Sequence, residues 1–376
     1  MTSPTRLRTC ERSRRSTWST ALTRAALWAG AWMASSCAPS GFADETLVAT
    51  VRILASSSDP VYAQPDSTVQ VQVLAIDGRS SKPQPMSLYW VPLPCEDPAD
   101  DAYFSCLDQF GSGDAGVFGG TDGAGPSPGM DLTRFLPDAG PSYEFHMPAN
   151  VVTQHTPVPG EASPYGLAIV FNAACAGHLE LLPPDPSNDN PQRVPIGCFD
   201  ANENQLGPED WVFGFTRIYA FAPDAGANGT PITNANPVVS SIDAPGGPVA
   251  VTLAPNTTQS YTTQPFTTAR CTAGRPCAQL AFGPVVPESS WEVTQQSDAN
   301  GNPQHEEIWA DFYSSLGQLS GGATLLYDAT KGSIGTPSVT DLQFTPPTSP
   351  GTGSIWIVVH DNRGGASWVT IPVVVQ

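Results

Sequence analysis

The stretch "STVQVQVLAID", residues 67–77, alternates apolar and polar side chains, with Val69, Val71 and Val73 on one face and Gln70 and Gln72 on the other. A period of two cannot be accommodated on a helix; it is the signature of a half-buried β-strand. Similar stretches occur at Leu47–Leu54, Met86–Val91, Tyr143–Met147, Leu167–Ala173 and Val212–Phe221, while helical periodicity is almost absent. Short strands separated by turn residues predict an antiparallel sandwich. Trp90 stands where a third strand would place a core tryptophan. After the turn-rich stretch "PDAGANGTPITNANP" the alternation resumes, with strands expected at Val238–Ile242, Val249–Leu253, Ser260–Thr268, Gln279–Phe282, Glu307–Tyr313, Thr324–Tyr327, Thr340–Phe344, Ile355–His360 and Ser367–Val375.

The predicted fold class is therefore all-β: two immunoglobulin-like antiparallel β-sandwiches with long loop insertions, following a signal peptide. Their bounds are 46–222, with insertions at 95–141 and 175–210, and 237–376, joined by a linker over 223–236. Pro (39) and Gly (34) make up about 19% of the 376 residues, enough for many turns and below the 25–30% that marks disordered chains.

The N-terminus reads differently. Arg6, Arg8, Arg12, Arg14, Arg15 and Arg24 stand against Glu11 alone, and an apolar run from Ala25 to Ala34 follows. Basic residues before a short apolar run have the layout of an export signal, expected here over 1–36. About ten apolar residues fall well short of the roughly 20 that span a bilayer. At the end of this run, Met33-Ala34-Ser35-Ser36-Cys37 resembles the lipobox of bacterial lipoproteins, with Ala34 in place of the commonest Leu. That resemblance implies lipidation of Cys37 as the mature first residue, a tether over 37–45 and, because Ala38 rather than Asp follows, the outer membrane as address. A plain signal cut near Ala34 or after Ala43 is the alternative. Several acyl chains, each buried CH₂ contributing about 0.8 kcal/mol, would give stable anchoring.

Without the signal, which carries six of the 16 Lys+Arg and one of the 35 Asp+Glu, the net charge falls from −19 to about −24. A chain so acidic is a poor partner for nucleic acid, whose binding rests on Lys and Arg neutralising phosphates. Of eight cysteines, Cys10 lies in the signal and Cys37 is the lipidation residue; Cys95, Cys106, Cys175, Cys198, Cys271 and Cys277 remain. An even number in an exported chain reads as disulfides, and the sequence-local pairing 95–106, 175–198, 271–277 is the expectation among 15 connectivities. No CxxC or nearby CxxH supports zinc bound through these cysteines.

"SIWIVVHDNRGGASWVTIPVVV" resembles the last hairpin of PKD-type and related immunoglobulin-like domains of bacterial surface proteins, in which a V-x-D-x-R-G-G turn joins the final strands. "VRILASSSDPVYAQPDSTVQVQVLAID" resembles their first strands, and the chain as a whole is similar to uncharacterised envelope lipoproteins. The two stretches together cover about 50 residues. The resemblance implies a scaffold or adhesion role and brings no catalytic residue with it.

Chemistry is sparse. No G-x-S-x-G occurs, and none of His146, His155, His178, His305 and His360 lies within four residues of another. His305-Glu306-Glu307 begins like a zincin motif, but Trp309 takes the place of the second histidine, leaving a solvated turn before a strand as the expectation. "GSGDAG", residues 111–116, matches a dinucleotide fingerprint in letters only, with no helix to follow, so nucleotide binding is not expected. Two acidic clusters could hold calcium: Glu96, Asp97, Asp100 and Asp101, and the run Asp200, Asn202, Asn204 ahead of Glu209 and Asp210. The second begins like a calcium loop yet lacks its glycine (Gln205) and its last glutamate (Trp211), so calcium is a weak expectation and no other cofactor is expected. Trp211, Trp291, Trp309, Trp356 and Trp368 could stack on sugars but read better as core.

These features point to a membrane-anchored envelope lipoprotein that does no catalysis and has a structural or partner-binding role, toward an unidentified envelope protein or a glycan. The alternative is a secreted or anchored carbohydrate-active enzyme or sugar-binding module using the loop carboxylates.

Overall fold

The alternating stretches are strands, and they stack in layers. The computed structural model describes residues 45–91, 94–107, 140–156, 163–182, 194–297, 303–334 and 342–376. The signal, Cys37, nearly all of the tether, "GSGDAG" and the greater part of the 95–141 insertion lie outside the described residues. Glu45–Gln376 form one compact unit. Among the described residues no helix is long and apolar enough to cross a membrane.

The first half is built on β1 (Val51–Asp59), β2 (Thr68–Asp77), β3 (Ser87–Trp90), β4 (Ser142–His146), β5 (Gly166–Cys175), β6 (His178–Leu181), β7 (Ile196–Phe199) and β8 (Trp211–Ala220). One sheet has the order β1-β2-β4, and a second runs from Tyr62–Ala63 through β8 and β5 to β3, with Cys95–Glu96 also pairing to β5. Val69, Val71 and Val73 of β2 meet Ala168, Val170 and Ala174 of β5 between the sheets, as their alternation demands. Trp90 is fully buried there; it stacks on Tyr143 at 5.6 Å and its Nε1 donates to the Gly140 carbonyl at 2.9 Å.

β5 departs from alternation, for "GLAIVFNAAC" is buried at every position. Its other face, Leu167, Ile169, Phe171, Ala173 and Cys175, packs against a third layer made by the disulfide-closed insertions: Cys95, Cys106 and Leu107 from one, and Leu179, Leu181, Ile196 and Cys198 of the β6–β7 hairpin from the other. A strand covered on both faces has no need of polar positions.

The second half centres on β9 (Ile308–Ser314), β10 (Ala323–Asp328), β11 (Gly351–Asp361) and β12 (Ala366–Val375), in the sheet order β12-β11-β9-β10. β11 and β12 pair antiparallel from Gly351↔Val375 to His360↔Ala366, so "DNRGG" is the hairpin turn. Short strands including Ser241–Ala244, Gly283–Val285 and Gln343–Thr345 close the core over Phe312, Ile357 and Ile371. The expected strand at Val238–Ile242 is shifted to Ser241–Ala244, and the one at Val249–Leu253 is divided between Gly247–Ala250 and Thr252–Leu253.

The outward face of the β11–β12 sheet is also covered. Trp356, Val358 and Trp368 pack on Val48, on Leu54 and Ala55 of β1 and on Leu74 of β2, so a fourth core cluster joins the halves. Residues 46–48 run beside the end of β9, with Val48 N donating to Ser314 O and Ser314 N to Thr46 O, both at 2.8 Å. The stretch expected as a polar linker is anchored too. Asn234 is buried, and Asn236 binds Ser57 Oγ (2.7 Å) and Ser58 O (2.9 Å) of β1 while accepting from Ala366 N (2.9 Å) of β12.

Candidate functional site

The acidic residues singled out in the sequence occupy the third layer, on the two disulfide-closed insertions. The disulfides join Cys95 to Cys106, Cys175 to Cys198 and Cys271 to Cys277, the sequence-local pairing.

In the first insertion two of the four carboxylates, Asp97 and Asp101, are bound within the protein. Asp97 Oδ1 accepts from Leu167 N at 3.1 Å, at the start of β5, and burial raises its carboxyl above the usual range. Asp101 Oδ1 lies 2.8 Å from His155 Nε2, and its Oδ2 accepts from the Tyr165 hydroxyl. His155, buried, closes the short helix Val151–Gln154 through its backbone N and packs its ring 4.3 Å from that of Tyr165. An Asp-His-Tyr chain has the components of a proton relay. Here Nε2, the nitrogen that would serve as base, is already engaged by the carboxylate and shielded from solvent, so the geometry is that of a clasp holding the insertion onto β5. Glu96 and Asp100 of this group are exposed, Asp100 on backbone with φ 55°.

In the second insertion Asp200 is spent on its own turn. Its Oδ1 accepts from Asn202 N (2.7 Å) and Asn204 N (2.9 Å), and its Oδ2 from Asn204 Nδ2 (3.1 Å). These bonds, the Asn204 backbone bond first, hold its carboxyl below the ordinary range. The Asp-x-Asn-x-Asn run is thus satisfied as an Asx-type turn, with the asparagine amide of Asn204 donating where a calcium loop would have an oxygen accept the ion. Asp210 is taken by Arg79 Nη1 at 2.8 Å, and Arg79 also forks onto Asp77, with Nε at 2.9 Å from Oδ1 and Nη2 at 2.9 Å from Oδ2.

The same turn carries Glu203 back toward β6. There His178 Nε2 lies 3.0 Å from Glu180 Oε1 and 3.4 Å from Glu203 Oε2. Among the described residues this is the one group of three or more His, Cys, Asp or Glu side chains whose ligand atoms all fall within 4.8 Å of one another. The i, i+2 spacing of His178 and Glu180 on a strand was a usable signal for two of its members; Glu203 comes from a turn whose path the sequence does not disclose.

The expectation for His305-Glu306-Glu307 is corrected. Glu306 is fully buried, and it is not in a solvated turn: its Oε2 lies 3.3 Å from Arg363 Nη1, and Arg363 also reaches Glu292 and the Thr233 carbonyl. The local triplet looks polar because the residue that covers it arrives from the β11–β12 turn. Of the five tryptophans, Trp356 and Trp368 are in the seam between the halves, Trp291 stacks on His305 at 3.6 Å and Trp309 on His360 at 5.3 Å.

No family model matches the chain, and no curated protein matches it. Among solved structures it is similar to the Clostridium thermocellum CbhA fibronectin(III)-like modules, at 9% identity over 87% of this chain and 94% of that one, with a TM-score of 0.18. It is similar to an Escherichia coli alpha-2-macroglobulin activated by porcine elastase, at 9% identity over 89% of this chain and 22% of that one, with a TM-score of 0.19. A third is the Bacteroides ovatus mixed-linkage glucan utilization locus SGBP-B in complex with mixed-linkage heptasaccharide, at 10% identity over 89% and 71%, with a TM-score of 0.13. At these values the likenesses assign no residue of the site.

Proposed function

We propose that the mature chain is a lipid-anchored protein of the bacterial outer membrane, held through Cys37, that performs no catalysis and serves as a structural or partner-binding element of the envelope. The observation that carries this reading is the use of all six cysteines after Cys37 in three disulfides, each closing a short loop. Such bonds persist where the compartment is oxidising, which agrees with an export signal. The disposition of three of the loop acids supports a non-catalytic role: Asp101, Asp200 and Asp210 are each bound within the protein, where they hold loops in place.

The test is the intact mass of the N-terminal peptide of protein purified from its own membranes, beside a Cys37→Ala variant. A diacylglyceryl-modified Cys37 as first residue, with release of the variant from the membrane, is the expected result. An unmodified N-terminus at Ala38 or beyond would overturn the anchoring. Hydrolysis of any glycan in a screen, abolished by Asp101→Asn, would overturn the non-catalytic part.

A further inference from the structure

His178 and Glu180 stand two residues apart on β6, so both side chains leave the same face of the strand. β7 pairs with β6 through His178↔Phe199 and Glu180↔Gly197, and the turn that follows β7 sets Glu203 over that face. Two carboxylate oxygens thus converge on a single imidazole nitrogen, at 3.0 and 3.4 Å. Nε2 carries at most one proton, so the two oxygens must share a single N–H or one of them goes without. Two carboxylates so close also repel. A cation at the common centre of the three atoms relieves both problems.

The donor types and the separations suit one class of cation. A tetrahedral zinc site with bonds of 2.0–2.1 Å has ligand-to-ligand edges of about 3.3–3.4 Å; the 3.4 Å from Nε2 to Glu203 matches that edge, and the 3.0 Å to Glu180 would have to widen slightly as the ion enters. Calcium takes six to eight oxygens at 2.3–2.6 Å and has no use for the imidazole. We propose that His178, Glu180 and Glu203 bind one borderline divalent cation of the zinc class, with three protein ligands and a fourth position facing solvent. His178 and Glu180 are partly shielded, at 23% and 14% side-chain exposure, while Glu203 at 70% leaves an entry path. The hairpin that presents the first two is braced by the Cys175–Cys198 disulfide, with Leu179 opposite Cys198 in the ladder, so the donors are held in place before the ion arrives.

The experiment is a calorimetric titration of zinc chloride into the full mature chain, disulfides intact, chelator-stripped and free of any polyhistidine tag. It does not depend on the lipid at Cys37. One ion per chain is expected, with calcium in tenfold excess failing to compete. His178→Gln and Glu180→Gln should each weaken binding by at least the 10–100-fold that even an outer-shell loss costs, and Glu203→Gln by tenfold or more. Because Glu203 is an exposed turn residue, that variant keeps its fold and isolates the ligand role. Absence of saturable zinc binding by the wild type, or affinity unchanged in Glu203→Gln, would overturn the site; binding of calcium lost at the same three positions would overturn the assignment of the metal.

Discussion

At the scale of single residues, Glu306 shows how far a side chain's role can lie from its local sequence. Burial, with the nearby Asp361 charge adding to it, pushes its carboxyl up to about 8, against the opposing pull of Arg363. In the unfolded chain the group titrates near 4.5. The folded state therefore holds the proton more tightly, and the stability this contributes is complete below pH 4.5 and is lost as the pH rises through 8. Asp361 and Asp97, both raised mainly by burial, push the same way. Asp77, depressed by its hydrogen bonds from Arg79, acts oppositely and only at the acid end, where its contribution is lost as pH falls through its folded value. The melting temperature should thus decline between pH 5 and pH 9, and Glu306→Gln should flatten that decline, as read by circular dichroism. An unchanged slope in the variant would place the titration elsewhere. None of this was legible in "QHEEIW", since Arg363 lies 57 residues further on.

At the scale of elements, alternation revealed most strands because it records one buried face, and β2 is the clear case. Leu167–Ala173 is grouped in the sequence with the half-buried alternating strands, and there β5 differs: ten buried positions in an antiparallel pairing require cover on both faces. The insertions supply that cover, so loops whose carboxylates the sequence offered to a sugar are, over their described parts, largely a layer of the core. Their disulfides are then unequal. Closing 23 residues restricts the unfolded chain by about 3.4 kcal/mol and closing six by about 2.2 kcal/mol, and the longer loop alone carries Leu179, Leu181 and Ile196 onto β5. Urea unfolding of a Cys175→Ser, Cys198→Ser double variant should show a loss of at least about 3 kcal/mol. The Cys271→Ser, Cys277→Ser counterpart should lose distinctly less. A reversed order would mean that the third layer contributes little to the stability of β5.

At the scale of the whole molecule, the sequence divides into two sandwiches and a polar linker, because Pro, Gly and Asn between 223 and 236 read as a break. The coordinates join what composition separates. Asn236 bonds to both halves, residues 46–48 run beside β9 of the far half, and Trp356 and Trp368 bury their rings against β1 and β2. The tryptophans lie on alternate positions of strands whose other face fills the second core; their own face is core as well, as expected of them, but its cover comes from a distant part of the chain. A seam with an apolar centre and bonded rim should make the halves unfold together. Scanning calorimetry of the mature chain should then give one transition whose calorimetric and van't Hoff enthalpies agree. Trp356→Ala removes one of the two largest side chains of the seam, at a cost of about 3–5 kcal/mol for a buried aromatic, while its neighbours Ile355 and Ile357 continue to hold the second core. The loss falls on the coupling, so the single transition should resolve into two, or its calorimetric enthalpy should exceed the van't Hoff value. Were the variant to melt in one equally cooperative step at lower temperature, the halves would be bound by more than this seam, and residues 46–48 with Asn236 would be the next to cut. Were the wild type itself to melt in two steps, the tryptophans would be packing without coupling, and Glu45–Gln376 would be two independently folding parts.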